Sequence, residues 1–409
     1  MCSDKNIMVE ANSSLSPVKQ AISDFIDERK ASVFEISRCI HERPEMAFEE
    51  FFASELLTDF LAKEGFSLQK GVAGLGTSFV AKYGDGKGPK VAILAEYDAL
   101  SLGHACGHNI IAATAVGAAA AMKYAVSRFS LSGELYVIGT PAEESGGGKV
   151  VMLEQGVFDG IDALLLLHPT TGMTKVAGRC KSSYQIDVEY FGEKAHASSH
   201  PEDGINATDS AVNCYVGIGM MRQQLMPGVS VMSLIMEPNR DDGFIPDHSW
   251  VRVKIRAFSE RAIADAVKKL KCCIKAAADA AGCCFKLTEK AGYKGRVVNK
   301  TIGDLLHANL NLLKEPTMEG YVDDNGGEDF GNLSRVIPGM MVYPTLYPEK
   351  KLSNHTEFFM ELANSDRSKH VLLLGSKVLA FTAVDLLCSV DIIKQAKREL
   401  SLLMESGES

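Results

Sequence analysis

Residues 91–126 read VAILAEYDALSLGHACGHNIIAATAVGAAAAMKYAV. Val91–Ala95 is an apolar run of strand length, whereas Ile110–Val126 is too long and alanine-rich for a strand and reads as a buried helix. Between them stand Glu96-Tyr97-Asp98 and His104-Ala105-Cys106-Gly107-His108-Asn109. The arrangement recurs twice downstream. Glu134–Gly139 leads to Thr140-Pro141-Ala142-Glu143-Glu144, and Ala163–Leu167 leads to His168-Pro169, with a helix expected over Gly147–Gly156. Strands alternating with helices predict an α/β fold with a mixed, mostly parallel sheet flanked by helices. Ligand crevices in such sheets lie outside the carboxyl ends of the strands. Three runs that deliver acids, imidazoles and a thiol to that edge therefore predict one site.

Outward from this stretch, the first ~15 residues are polar and read as a loose terminus. Ser16-Pro17 starts a helix that carries Ile22, Phe25, Ile26, Val33, Ile36 and Ile40 and ends at Pro44. A second helix is expected over Ala47–Glu64, and a short strand over Ser78–Lys82. From about Ser183 the pattern changes. Tyr184, Ile186, Val188 and Tyr190 alternate as in a half-buried strand. A helix over Ile205–Gln224, strands near Val229–Met236 and Trp250–Phe258, a helix over Glu260–Ala281 and a strand over Cys284–Glu289 follow. The order β-α-β-β-α-β is that of a ferredoxin-like α+β module. The chain then returns to its first pattern and closes with one or two helices over Asp366–Glu405. The expected division is a discontinuous domain of residues 16–181 and 296–405, interrupted by an inserted module of residues 182–295.

The 409 residues suit two or three domains at ~150 residues each. Apolar residues at 46% and charged residues at 23% exclude global disorder. The net charge of −9 argues against nucleic acid as a main partner, since phosphate neutralisation needs clustered Lys and Arg. The longest near-apolar run, Ile110–Met122, falls short of the ~20 residues of a membrane span, so no membrane segment is expected. Met1-Cys2-Ser3-Asp4-Lys5 has no apolar leader core, and the cysteines are scattered. Both features point to reduced thiols in the cytoplasm. Cys272-Cys273 and Cys283-Cys284 could suggest a structural zinc site. Adjacent residues on a helix point in different directions, however, so these four are expected to be buried core thiols.

The residue types at the predicted edge suggest a metal. Thiolate, imidazole and carboxylate are the ligands of zinc and related divalent ions. Cys106 and His108, two apart, reach one ion where the backbone turns, although a buried cysteine beside a capping histidine is an equally ordinary reading. Glu143-Glu144 presents two carboxylates in different directions, one for a metal and one as general base, the division that metal-assisted hydrolysis requires. An acid pair is commonly just a solvated loop, but this one follows an apolar strand and precedes Gly146-Gly147-Gly148. Taken singly, His168 is a core histidine at a strand end, and His355 and His196 are loop or surface histidines.

The ensemble resembles the M20 family of metallopeptidases and amidohydrolases, in the branch with aminoacylases, N-acyl amino acid amidohydrolases and aminobenzoyl-glutamate hydrolase. The similarity runs in order through His41-Glu42-Arg43-Pro44-Glu45, HACGHN at 104–109, PAEE-SGGGK at 141–149, LLLLHP at 164–169, KAHAS at 194–198, GINATD at 204–209, EDFGNLS at 328–334 and SNHTEFF at 353–359. The Glu96-Tyr97-Asp98 triplet and the HACGHN form look most like the aminoacylase-1-like dipeptidase subgroup. The resemblance implies a zinc-peptidase-like catalytic domain with an inserted lid that forms a homodimer. It implies two divalent ions, zinc or manganese foremost and cobalt as a third choice, held by Cys106, His108, Glu144, His168 and His355 with Cys106 bridging. Glu143 would be the general base, and Asp98 would orient a ligand. His196 would reach the partner subunit's site to stabilise the developing oxyanion. Asn206 and Arg256 would grip the substrate, a dipeptide or an N-acyl amino acid.

Two departures stand out. Asn109 replaces the Asp of many members, although the dipeptidase-like subgroup shares it, and His200-Pro201 replaces an aromatic residue before the proline. Other readings stay open: an aminobenzoyl-glutamate-type or other N-acyl-conjugate hydrolase, a thiol enzyme with Cys106 as nucleophile, or a non-catalytic binding relative.

Overall fold

The computed structural model describes residues 15–237 and 243–406; the expectation of a loose N-terminus bears on residues outside this range. Among the described residues the strands are β1 (Ser67–Lys70), β2 (Phe79–Gly84), β3 (Lys90–Ala95), β4 (Glu134–Gly139), β5 (Ala163–Leu167), β6 (Thr170–Thr171), β7 (Thr174–Ala177), β8 (Ser182–Phe191), β9 (Ser230–Glu237), β10 (His248–Ala257), β11 (Cys284–Ala291), β12 (Thr317–Val322), β13 (Gly339–Tyr343) and β14 (Thr345–Tyr347). The chain divides into two compact units. One comprises the residues up to Ala177 with Val298–Val322 and Val336–Leu400. The other comprises Gly178–Val297, Asp323–Arg335 and the residues from Ser401.

The first unit is built on a sheet of order β1-β2-β4-β3-β5-β13-β7-β12. Its centre, β4-β3-β5-β13, is parallel, with Ala92 opposite Tyr136 and Met341 opposite Leu166. β3 and β5 are nearly continuous runs of Ala, Val, Ile and Leu because both faces are covered. The outer pairs β1–β2, β2–β4 and β13–β7 are antiparallel, and the sheet is therefore mixed. Two long helices, His108–Phe129 and Asp366–Leu387, pack in its core. Both are long and apolar enough to cross a membrane, but most of their surface is buried inside the unit. Small residues let them approach closely: a Cβ at Gly375 would lie 2.3 Å from Leu167 Cδ1 and 3.0 Å from Thr114 Cγ2. The expected first helix is two, Pro17–Glu28 and Lys30–Glu42, broken at Arg29. The expected helix over 47–64 begins only at Phe51, because Phe48 adopts a left-handed backbone.

The second unit carries an antiparallel sheet of order β11-β8-β10-β9. Helices Ala207–Met221 and Glu260–Ala281 cover one face, completing the ferredoxin-like β-α-β-β-α-β module. Ile186, Val188 and Tyr190 of β8 and Val251, Val253 and Ile255 of β10 alternate inward to meet Cys214, Ile218, Leu270 and Ile274. The paired cysteines depart from expectation: Cys272 and Cys284 are exposed, and Cys273 and Cys283 half-buried. The buried stripe of the second helix runs through Ala266, Leu270, Ile274 and Ala277, which leaves position 272 off the core face. All cysteines among the described residues are free thiols.

Candidate metal centre

The ends of β3, β4 and β5 deliver the site, as the α/β geometry dictates. After β3 the chain turns through residues 99–107 and enters the helix at His108, with Gly107 at φ 81°. A side chain there would be strained, and its Cβ would lie 2.5 Å from Pro169 Cγ. This tight turn allows Cys106 and His108 to face one centre.

Three overlapping donor groups result: Cys106, His108 and His168; Cys106, Glu144 and His355; and His108, Glu143 and Glu144. Within each, the ligand atoms lie within 4.8 Å of one another. Cys106 Sγ is 3.2 Å from His168 Nε2. Glu144 Oε1 is 3.2 Å from His355 Nε2 and 3.8 Å from His108 Nε2. Glu143 Oε2 lies 3.9 Å from the same His108 nitrogen. The structure thus brings together Asp98, Cys106, His108, Glu143, Glu144, His168 and His355 from separate segments of the chain.

The tautomers suit metal ligation. His108 Nδ1 donates to the Asp98 backbone carbonyl (2.9 Å) and carboxylate (3.0 Å), and His168 Nδ1 donates to the Pro169 carbonyl (2.8 Å). Each imidazole so held turns Nε2 toward the other donors, as outer-sphere partners of metal-bound histidines do. His108 Nε2 is buried without a hydrogen bond. Buried polar atoms rarely stay unpaired, and a cation would satisfy it. Glu144 Oε1 is also buried and faces the His355 imidazole at 3.2 Å. The donor set of one thiol, three imidazoles and a carboxylate fits zinc-like divalent ions.

Electrostatics agree with this fit. With only protein groups to balance charge, burial pushes the Cys106 thiol up to about 12, reinforced by the nearby Glu144 and Glu143. Burial depresses the His108 imidazole, but the Asp98 carboxylate more than reverses this and holds it above the usual range. Burial raises Asp98, yet His108 and the Glu144 amide, 3.0 Å from Oδ2, keep it below the ordinary carboxylate range. The Glu144 carboxylate raises His355. A dication would act against the upward shifts of Cys106, His108 and His355, since ligands bind it as thiolate, neutral imidazole and carboxylate. His104, the other histidine of the motif, is buried and pushed down to about 3, chiefly by desolvation.

Several contacts were not predicted from the sequence. Glu96 and Lys149 form a fully buried ion pair of 2.8 Å, with Glu96 Oε2 3.6 Å from His108 Nε2. Asn354 Nδ2 donates to Cys106 Sγ at 3.2 Å. Asn109 donates to Ser37 Oγ (2.9 Å) and the Ala363 carbonyl (3.0 Å), and an Asp carboxylate could not make the second of these contacts. The i, i+2 spacing of Glu96 and Asp98 at a strand end was the one available hint for Glu96.

The other candidates belong to the second unit. His196 is exposed, and its Nδ1 accepts from the Ser198 and Ser199 amides (3.3 and 3.2 Å), which leaves Nε2–H as a donor. Asn206 caps the helix at Ala207, accepting from the Thr208 amide at 3.0 Å. Arg256 is exposed on β10, on the sheet face opposite the helices.

Known proteins resemble this chain in sequence and in fold. Peptidase family M20/M25/M40 matches residues 101–374. The chain is 33% identical to the mouse Xaa-Arg dipeptidase over 413 residues, covering 96% of this chain and 94% of that protein. It is 30% identical to one component of the Escherichia coli p-aminobenzoyl-glutamate hydrolase, over 52% of this chain and 48% of that one. In structure it is similar to a putative aminohydrolase from methicillin-resistant Staphylococcus aureus, with TM-score 0.80 and 20% identity over 90% of this chain and 100% of that one. A Bacillus subtilis dinuclear metal binding peptidase of the M20 family superposes with TM-score 0.71 and 20% identity over 88% of this chain and 98% of that one. The chain belongs to peptidase family M20/M25/M40. It is a hydrolase of the M20 metallo-dipeptidase and amidohydrolase type.

Proposed function

We propose that this protein is a two-metal amidohydrolase that cleaves the amide bond of a dipeptide or N-acyl amino acid, with Glu143 as general base. The observation that carries the reading is the convergence of Cys106, His108, Glu144, His168 and His355, with Cys106 common to two of the donor groups. Zinc or manganese is the preferred cation, with cobalt third; the thiol favours the softer zinc. When bound, the ions supply Lewis acidity to the scissile carbonyl and lower the pKa of water.

The chain's own groups do the rest. Glu143 accepts the proton of the attacking water and returns it to the leaving amine. Asp98 fixes the His108 ring. His196, its Nε2–H set by the Ser198 and Ser199 amides, donates to the carbonyl oxygen of a substrate in the partner's site. Arg256 offers a guanidinium fork to the substrate carboxylate, and Asn206 is a second contact at the rim. The names of the relatives favour a dipeptide with a basic C-terminal residue over an aminobenzoyl-glutamate-type conjugate. Residues 182–295 act as lid and dimerisation domain. Val216 and Met220 on the helix, and Met232 and Leu234 on edge strand β9, expose apolar surface that a second copy would cover. The free thiols suit a cytoplasmic setting.

The test is hydrolysis of a panel of dipeptides and N-acyl amino acids by wild-type and Glu143→Ala protein, with and without a chelator. Chelation should abolish turnover, zinc or manganese should restore it, and Glu143→Ala should lose it. Full turnover by Glu143→Ala removes that residue from the mechanism, and chelator-resistant activity abolished by alkylation would favour Cys106 as nucleophile.

A further inference from the structure

Glu50 lies fully buried at the start of the helix Phe51–Lys63. Its Oε1 accepts from two backbone amides, Phe48 N–H at 3.0 Å and Ala142 N–H at 2.9 Å, and its Oε2 accepts from the Thr77 hydroxyl at 2.7 Å. Both amide donors belong to non-glycine residues with left-handed backbones, φ 64° for Phe48 and 60° for Ala142. Residues with a Cβ avoid that region unless their surroundings impose it. The Ala142 carbonyl in turn accepts from the Gly146 and Gly147 amides at 3.0 and 2.7 Å, which closes the turn that carries Glu143 and Glu144. On the far side of Glu143, the Glu144 amide donates to Asp98 Oδ2 at 3.0 Å. The amides on either side of Glu143 are thus each gripped by a buried carboxylate.

Among the described residues no cation forms an ion pair with Glu50. A buried carboxylate without a counter-charge is costly unless donors satisfy it. Here three donors converge on it, and two of them are the strained amides. A neutral amide side chain would still offer one oxygen to both amides and its N–H to the Thr77 hydroxyl oxygen, whereas an apolar side chain would leave both amides without an acceptor.

We propose that Glu50 is a positioning residue for the hydrolytic reaction: it holds Ala142 in the left-handed conformation and so sets the direction of Glu143 and Glu144. The inference rests on the roles given to those two residues above.

The experiment compares wild type, Glu50→Leu, Glu50→Gln and Thr77→Val as metal-loaded full-length protein, by steady-state kinetics and by hydrogen exchange of the peptide spanning residues 140–148. Glu50→Leu removes both acceptor oxygens and should lower kcat about 10- to 100-fold with KM little changed, since small misplacements of reacting groups cost rates of that order. It should also speed exchange in the loop. Glu50→Gln keeps an acceptor for both amides and should stay within about threefold of wild type in both readouts. Thr77→Val, which removes only the Oε2 contact, should move both readouts in the same direction as Glu50→Leu by less. Ala142→Gly placed in the Glu50→Leu protein should recover about fivefold or more in kcat, because glycine adopts positive φ without a clamp. Unchanged loop exchange in Glu50→Leu, or no recovery on adding Ala142→Gly, overturns the proposal. Should Glu143→Ala retain full turnover while Glu50→Leu still loosens the loop, the assignment of Glu143 fails and the clamp stands.

Discussion

Asp98→Asn isolates the support behind the metal ligands. Asp98 makes three contacts: its backbone carbonyl and Oδ1 receive His108 Nδ1–H at 2.9 and 3.0 Å, and Oδ2 receives the Glu144 amide at 3.0 Å. The substitution keeps the backbone contact, so the imidazole retains its tautomer. It does not keep both carboxylate contacts, because an amide has one acceptor oxygen and its NH₂ must face either the His108 Nδ1–H or the Glu144 N–H. One buried donor is then opposed and unpaired, at a cost of about 1–3 kcal/mol. A value near 2 kcal/mol corresponds to roughly 30-fold in affinity, within the 10- to 100-fold usually lost with such outer-sphere partners. The assay is competition for zinc between protein and a chelating dye at pH 7.5, with kcat/KM for a dipeptide measured in parallel. Affinity and kcat/KM both within about twofold of wild type, in a protein with unchanged melting temperature, would refute the reasoning.

Further outcomes follow from other parts of the structure. Gly107→Ala places a Cβ at φ 81° and 2.5 Å from Pro169 Cγ, so the melting temperature and metal occupancy should both fall, with about 1–2 kcal/mol from the backbone alone; unchanged occupancy by elemental analysis would contradict this. Leu234→Lys on edge strand β9 should give a monomer in sedimentation velocity and strongly reduced turnover; a dimer of wild-type activity would exclude that face as the interface. The His370–Glu315 pair, 3.1 Å apart, bears on pH. The carboxylate raises His370, so that contribution is complete below the ordinary imidazole pKa and is lost as pH rises through the raised value. Burial raises Glu315, but His370 and Thr174 outweigh it and lower the pKa, so its contribution is complete above the ordinary carboxylate pKa and is lost as pH falls through the lowered value. His370→Ala should therefore reduce thermal stability most between the two ordinary ranges, and a pH-independent difference in melting temperature would count against the pair.

Much of the fold was legible because its signals are local. β4 and β5 lie over the expected runs, and β3 starts one residue early, since parallel strands covered on both faces must be apolar throughout. The alternation in β8 and the i, i+3, i+4 stripe of Glu260–Ala281 likewise follow from burying one face. Features without local cause were hidden: the break at Arg29, the strand β7 between β13 and β12, and the exposure of Cys284.

The amino-acid order alone determined which chemical groups this protein possesses and that several of them follow strand ends, because strand length and helix period are written in neighbouring residues. Only tertiary structure decided what each group does. His355 meets Glu144 across 211 positions of sequence, and Glu50 reaches Ala142 across 92. Tautomers, shifted proton affinities and orphaned lone pairs arise from what surrounds a group in space, and that surrounding comes from distant segments packed by burial of apolar surface.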